Sequence, residues 1–225
     1  MNGSDLHDVD KLMKSQMEKM VPSYDSYMKM MTFGRERTLR ERTINLAQVK
    51  AGDSILEVGC GTGTLTLAAK RQAGPSGKAF GIDVIPGMIE LSRRKASQAN
   101  EQVTFQLGSI DDIPFSENQF DVVMCSFMIF HMSENTRHKG IAEIYRVLKP
   151  NGRLLVLDLA LPAQPLQKAI AQLLLGGMLE HDLRDLLPLM EATGFSDGEF
   201  GPVEFRILGL SVLAFVRGSA LKNQE

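Results

Sequence analysis

From residue 53 onward the chain alternates between two textures. Short apolar runs stand at SILEVG (54–59), KAFGIDV (78–84), VTFQLG (103–108), FDVVMCSF (120–127) and RLLVLDLA (153–160). Between most of them lie stretches with apolar residues three and four apart: TLTLAAKRQA (64–73), GMIELSRRKASQAN (87–100) and ENTRHKGIAEIYRVLK (134–149). The compact runs predict strands buried on both faces, and the longer spacing predicts the helices that cover them. Gly74-Pro75, Pro150-Asn151-Gly152 and Pro162 punctuate the boundaries. The closing FSDGEFGPVEFRILGLSVLAFVRG (195–218) holds two extended runs and no helical period, which predicts an antiparallel pair. The expected fold class is α/β: three layers, a doubly wound, mostly parallel sheet of seven strands, and an antiparallel last strand.

Residues 1–50 read differently. Leu6, Val9, Leu12, Met13, Met17 and Met20 recur at helical spacing. VPSYDSY (21–27) breaks that pattern, and RERTLRERTINLAQV (35–49) resumes it. Seven of the 13 methionines fall within the first 31 positions. Methionine adapts to irregular apolar surfaces, so this cap is expected either to pack on the sheet or to act as a lid hinged at TFG (32–34). The predicted organisation is a cap over 1–50 and an α/β domain over 51–225, with a helical excursion at 165–193.

Composition narrows the class. With 225 residues, 44% of them hydrophobic, the chain can bury a core without disulfides or metal. A net charge of -2 provides no field for nucleic acid. Cys60 and Cys125 form no framework or metal spacing, and the paired Asp111-Asp112 lacks accompanying ligands. MNGSDLHDVDKLMK has no apolar signal core, and IAQLLLGGML (170–179) is too short to span a bilayer. A cytoplasmic protein, monomeric or homodimeric, is expected, with peripheral membrane contact through the cap or IAQLLLGGML.

The chemistry concentrates at EVGCGTG (57–63). Gly59, Gly61 and Gly63 form the turn from the first strand into the first sheet helix, at the sheet edge where open α/β folds bind ligands. Glycines in series cost backbone entropy, so either a ligand presses on the backbone or the turn itself needs them. Asp83, at the end of the second strand, can accept both hydroxyls of a ribose. The G-x-G-x-G spacing, with Thr64 where a dinucleotide fingerprint continues, suits a nucleoside ligand without a pyrophosphate.

Taken with GIDV (81–84), LGSIDDIPF (107–115), PFSENQFDVV (114–123) and EIYRVLKPNGRLLVLD (143–158), the glycine run resembles the class I S-adenosylmethionine-dependent methyltransferases over about residues 50–158. That resemblance implies a Rossmann-like methyltransferase fold, S-adenosyl-L-methionine as cofactor and S-adenosyl-L-homocysteine as product. It places Gly59, Gly61 and Gly63 against the methionine moiety and ribose, and Glu57 near the amino group. Asp83 falls on the ribose diol, Val84 and Met88 on the adenine, and Ser109 and Ile110 beside its ring. Cys60 and Ser126 complete the set. The family often carries Asp where Ser109 stands.

The entry segment YDSYMKMMTFGRERTLR (24–40) is similar to that of the ubiquinone/menaquinone-biosynthesis C-methyltransferases. Tyr24, Asp25, Met31, Phe33, Gly34 and Arg37 match, whereas Met28 replaces Asn, Leu39 replaces Trp, and Phe130-His131 replaces Arg-Asn. The resemblance implies a small apolar or aromatic, quinone-precursor-like acceptor. Where the acceptor must lose a proton, the candidate catalytic groups are His131 and Tyr24, with Asp25 and Asp158 behind them. A phospholipid or other amine N-methyltransferase at a membrane surface and a non-catalytic S-adenosylmethionine-binding protein are the competing classes. An NAD oxidoreductase is disfavoured by Thr64, and an arsenite methyltransferase by the two cysteines.

Overall fold

The structure is a computed structural model that describes residues 15, 17–129, 132–162, 164–175 and 182–222. A single 3-10 turn, Val21–Ser23, leads into α1 (Tyr24–Met31) and α2 (Glu36–Leu46). The α/β part then runs β1 (Ser54–Val58), α3 (Thr64–Ala73), β2 (Lys78–Asp83), α4 (Pro86–Ala99), β3 (Thr104–Leu107) and β4 (Phe120–Ser126). It continues through α5 (Glu134–Val147), β5 (Leu148–Leu159), α6 (Pro165–Leu175), α7 (Leu186–Thr193), β6 (Phe195–Pro202) and β7 (Leu213–Ala220). The sheet order is β3-β2-β1-β4-β5-β7-β6, with β7 antiparallel to both of its neighbours.

Three layers follow from period-two alternation in the central strands. Ile55, Val122, Met124, Leu155 and Leu157 point to one face, where they join Leu39 and Ile44 of α2 and Leu65 and Ala69 of α3. Leu56, Val58, Val123, Cys125, Leu154 and Val156 point to the other, against Ile141 and Ile144 of α5 and Met190 of α7. The helices stop where the sequence supplies a residue tolerant of the left-handed region. Asn100 ends α4 at φ 53° and Gly194 ends α7 at φ 110°. Ser133 starts α5 by accepting a hydrogen bond from the Thr136 amide at 3.2 Å, a cap worth about 1 kcal/mol.

Two boundaries differ from the sequence expectation. The break predicted over 21–27 is confined to Val21–Ser23, and Tyr24 opens a helix whose Asp25 suits its positive end. Residues 148–152, predicted as the end of α5 and a turn, belong to β5 as a bulge. The register jumps there from Phe120↔Leu148 to Val122↔Arg153, and Asn151 takes φ 60°. The helix expected from residue 5 falls largely outside the described residues, as does the break at Gly176-Gly177. Within 165–193 the described elements are α6, a 3-10 turn at Leu183–Asp185 and α7.

Candidate functional site

The strand order reverses between β1 and β4, so their carboxyl ends splay apart and leave a crevice. The cleft there spans about 590 Å³ including its solvent-open mouth and is walled by α1, α2, the glycine loop and the end of β4. Tyr24, Asp25, Met28, Leu39, Arg40, Glu57, Gly59, Cys60, Gly61, Ser126 and Phe127 are among its lining residues.

The loop is built by backbone bonds. Gly59 and Cys60 both donate N–H to the Ile82 carbonyl at 2.9 Å, tying the end of β1 to β2. Gly61 N–H donates to Asp83 Oδ2 at 2.8 Å, and Ile85 N–H to Asp83 Oδ1 at 2.9 Å. Asp83 thus fixes the loop from below, holding one amide on each of its two oxygens. All three glycines have positive φ, but the reasons differ. A Cβ on Gly59 would lie 2.8 Å from Met128 Sδ, and one on Gly63 would lie 2.6 Å from Phe105 Cζ and 2.7 Å from Ser92 Cβ. These two glycines make room for the protein's own side chains. Gly61 differs, because the nearest atom to its Cβ position is Tyr24 Cε1, 3.8 Å away across the cleft.

Electrostatics separate the polar groups. Burial pushes Glu57 up to about 8, against hydrogen bonds from the Thr66 hydroxyl and amide that favour its carboxylate. Tyr24 is pushed up to about 12 by burial and by the nearby charges of Asp83 and Glu57, so its phenol stays protonated at neutral pH. Burial opposes the charge of Arg40, whose charged neighbours are Glu36, Asp25 and Glu57. Burial also raises the thiols of Cys60 and Cys125 far out of the reactive range, which makes both inert small hydrophobes.

The N-terminal segment is fastened across this cleft. Asp25 Oδ1 accepts from the Thr62 hydroxyl at 2.8 Å, and its Oδ2 lies 2.5 Å from Lys95 Nζ on α4. Partial burial disfavours the Asp25 charge, but the bonds from Lys95 and Thr62 outweigh it and hold the carboxyl below its ordinary value. Val21 reaches the start of α4, where a Cβ on Gly87 would lie 3.3 Å from its side chain. One carboxylate thereby joins α1, the glycine loop and α4.

Of the residues singled out from sequence, Tyr24, Glu57, Gly59, Cys60, Gly61 and Ser126 share the cleft wall, with Asp83 directly beneath Gly61. Gly63, Val84, Met88, Ser109 and Ile110 lie outside that lining. Met88 is buried, and the Ser109 hydroxyl donates to Asp111. Ile110 fills the space above Gly140 of α5. Phe130 and His131 lie outside the described residues. Arg40, Thr62 and Lys95 were not anticipated. Thr62 could have been found from its place inside the glycine loop, whereas Arg40 and Lys95 sit in charged helices whose inward face depends on packing. Among the described residues no cluster of His, Cys, Asp and Glu could hold a metal ion.

Comparison with known proteins identifies the family and the fold. A family model described as a methyltransferase domain matches residues 55–152. The demethylmenaquinone methyltransferase of Symbiobacterium thermophilum is 35% identical over 68% of this chain, and the chain spans 61% of its length. That of Thermus thermophilus is 32% identical over 91% of the chain and 86% of its own length. A solved methyltransferase structure from Aquifex aeolicus superposes with a TM-score of 0.65 at 21% identity, covering 92% of this chain and 98% of that one.

Proposed function

Because the chain belongs to the S-adenosylmethionine-dependent methyltransferases, we propose that this cleft binds S-adenosylmethionine and that the protein transfers its methyl group to a small apolar acceptor of quinone-precursor type. The cofactor supplies an electrophilic methyl, and the chain supplies binding, alignment and exclusion of water.

The donor set fits such a molecule. Arg40 presents a cation for its carboxylate, and Glu57 an acceptor for its ammonium. Asp83 stands at the strand end beneath Gly61, where a carboxylate can accept the hydroxyls of a ribose, and Gly61 leaves open the volume a side chain would fill. Tyr24 covers the loop as a protonated phenol, which suits it to donate a hydrogen bond to a bound ligand and not to act as a base. Met28, Leu39, Leu65 and Phe127 give the cleft an apolar wall. Two of these, Met28 and Leu39, are positions where the chain departs from the quinone C-methyltransferases. That combination supports a lipophilic acceptor whose contacts differ in detail from theirs. Asp25, fastened to Thr62 and Lys95, supports reading the segment 5–34 as a lid that closes over the bound cofactor.

The observation that carries the reading is the convergence of Arg40, Glu57 and the Asp83-supported Gly61 in one cleft at the switch point. Its test is a transfer assay with radiolabelled S-adenosylmethionine and separate acceptors: a short-chain prenylated quinol, phosphoethanolamine and phosphatidylethanolamine. Label in the quinol alone is the expected result. Label in an amine would move the acceptor class, and cofactor binding with no transfer to any acceptor would favour a non-catalytic role.

A further inference from the structure

The outer surface holds an apolar feature that the methyl-transfer site does not use. On α6, Leu166, Ile170, Leu173 and Leu174 are all exposed, Leu166 at 74% and Leu173 at 85%, while Ala171 is fully buried in the core. Positions 166, 170, 173 and 174 fall on one helical stripe, so α6 rests on a small residue and turns its leucines outward. A second patch lies at the α1–α2 turn, where Met30 and Phe33 are exposed, Phe33 at 68%. Phe33 also has φ 51°, a backbone region that bulky residues avoid. The fold therefore spends strain to hold an aromatic ring in the open, an arrangement that calls for a use outside the chain.

Both patches rest on the same apolar cluster. Ala171 of α6 and Met31 of α1 are buried members of it, together with Phe205 and Leu210 of the connection before β7. Leu208 of that connection donates its N–H to the Met31 carbonyl at 3.1 Å. Charge then distinguishes among possible partners. The chain carries a net -2, yet residues 26–35 and 164–175 contain Lys29, Arg35 and Lys168 and no Asp or Glu. Exposed leucines and an aromatic flanked by cations, with the bordering carboxylates limited to Glu36 and to Asp25, which pairs with Lys95, match the chemistry of a bilayer interface that bears anionic headgroups.

We propose that α6 and the α1–α2 turn form a docking surface for an anionic lipid bilayer. Apolar side chains enter the headgroup boundary, and Lys29, Arg35 and Lys168 pair with phosphates. Each such cation contributes roughly fivefold in affinity near an anionic surface. The turn belongs to the same helix as Met28, which lines the cleft, so the docked face adjoins the active site.

Vesicle flotation of the full chain tests this, comparing phosphatidylcholine alone with phosphatidylcholine plus phosphatidylglycerol. Binding to the anionic vesicles should be tighter by roughly tenfold or more, and should weaken with salt. Leu166→Glu with Leu173→Glu should cut it by a similar factor, with the melting temperature and S-adenosylhomocysteine affinity of the parent. Phe33→Asn, which suits the left-handed backbone, should also weaken binding while folding at least as well. Equal binding to both vesicle types, absence of binding, or no effect of these variants would overturn the proposal. A concentration-dependent dimer that the double variant dissolves, without vesicle binding, would assign the face to a second copy of the chain.

Discussion

Replacing Gly61 and Gly63 separately by alanine should uncouple binding from stability, although both glycines share one motif. At Gly61 the new methyl meets nothing nearer than Tyr24 Cε1 at 3.8 Å, an ordinary contact. Its cost to folding is the left-handed backbone alone, at φ 50°, about 1 kcal/mol or slightly more. In a chain of this size that lowers the melting temperature by roughly 2–4 °C. At Gly63 the methyl is forced to within 2.6 Å of Phe105 and 2.7 Å of Ser92. Overpacking of that kind adds about 1–3 kcal/mol to the backbone cost, and the melting temperature should fall by roughly 5–15 °C. Binding of S-adenosylhomocysteine should behave in the opposite sense. Gly61→Ala puts its methyl in the cleft and should weaken affinity by roughly tenfold or more, at least about 1.4 kcal/mol. Folded Gly63→Ala protein should bind within a few-fold of the parent. Scanning calorimetry and titration calorimetry on the two variants provide both numbers. A Gly61→Ala protein that binds as tightly as the parent, or melts as low as Gly63→Ala, would refute the claim that Gly61 faces the ligand while Gly63 faces the protein's own side chains.

Three further outcomes follow from the site. Glu57 is raised from 4.5 to about 8 in the folded chain, so between those values the folded state holds more protons than the unfolded one. Stability of the free protein should therefore fall as pH rises from about 5 to 8, by at most about 1.4 kcal/mol per unit. Affinity for the ammonium-bearing cofactor should rise over the same window; urea unfolding and titrations at several pH values read both slopes, and Glu57→Gln should flatten them. Asp83→Ala removes the acceptor of two amides as well as the diol site, so it should lose about 1–3 kcal/mol of stability along with roughly 10- to 100-fold in cofactor affinity. Unchanged affinity would detach Asp83 from the ribose. Asp25→Asn should speed cofactor release several-fold in stopped flow while costing about 1–3 kcal/mol of stability, since Asp25 is half-exposed but the Lys95 Nζ it pairs with is buried. An unaltered release rate would show that Asp25 does not latch a lid.

The sheet was legible because β1 to β5 are local: each is a short apolar run bounded by glycine, proline or a helical period, and connections are brief. Glu57, Gly61 and Asp83 were legible because one strand end, one turn and the next strand end supply them in order. Arg40 was not. RERTLRER (35–42) sets three arginines on one helix and a fourth at its cap, and only the seating of Leu39 and Thr43 against the core decides that Arg40 faces the cleft while Arg37 pairs with Glu41 in solvent. Lys95 follows two arginines on α4 and is singled out by the distant Asp25. The separate reasons for Gly59, Gly61 and Gly63 were hidden too, because Met128, Phe105 and Tyr24 arrive from other elements. The start of β5 was misplaced because a Pro-Asn-Gly run signals a turn, yet the flanking Leu148 and Arg153 remain paired with β4.

Everything proposed for the cleft depends on its occupant, and titration calorimetry of the full chain with S-adenosylhomocysteine, with NAD in a parallel cell, reads that directly. The cleft formed by Arg40, Glu57 and Gly61 predicts one saturable site per chain for S-adenosylhomocysteine, with a dissociation constant on the order of micromolar, about -8 kcal/mol, and no binding of NAD. Arg40→Met should weaken that site by roughly tenfold, because a charge-assisted pair to the carboxylate is lost. No saturable heat with S-adenosylhomocysteine, or an affinity for NAD that equals it, would contradict the account.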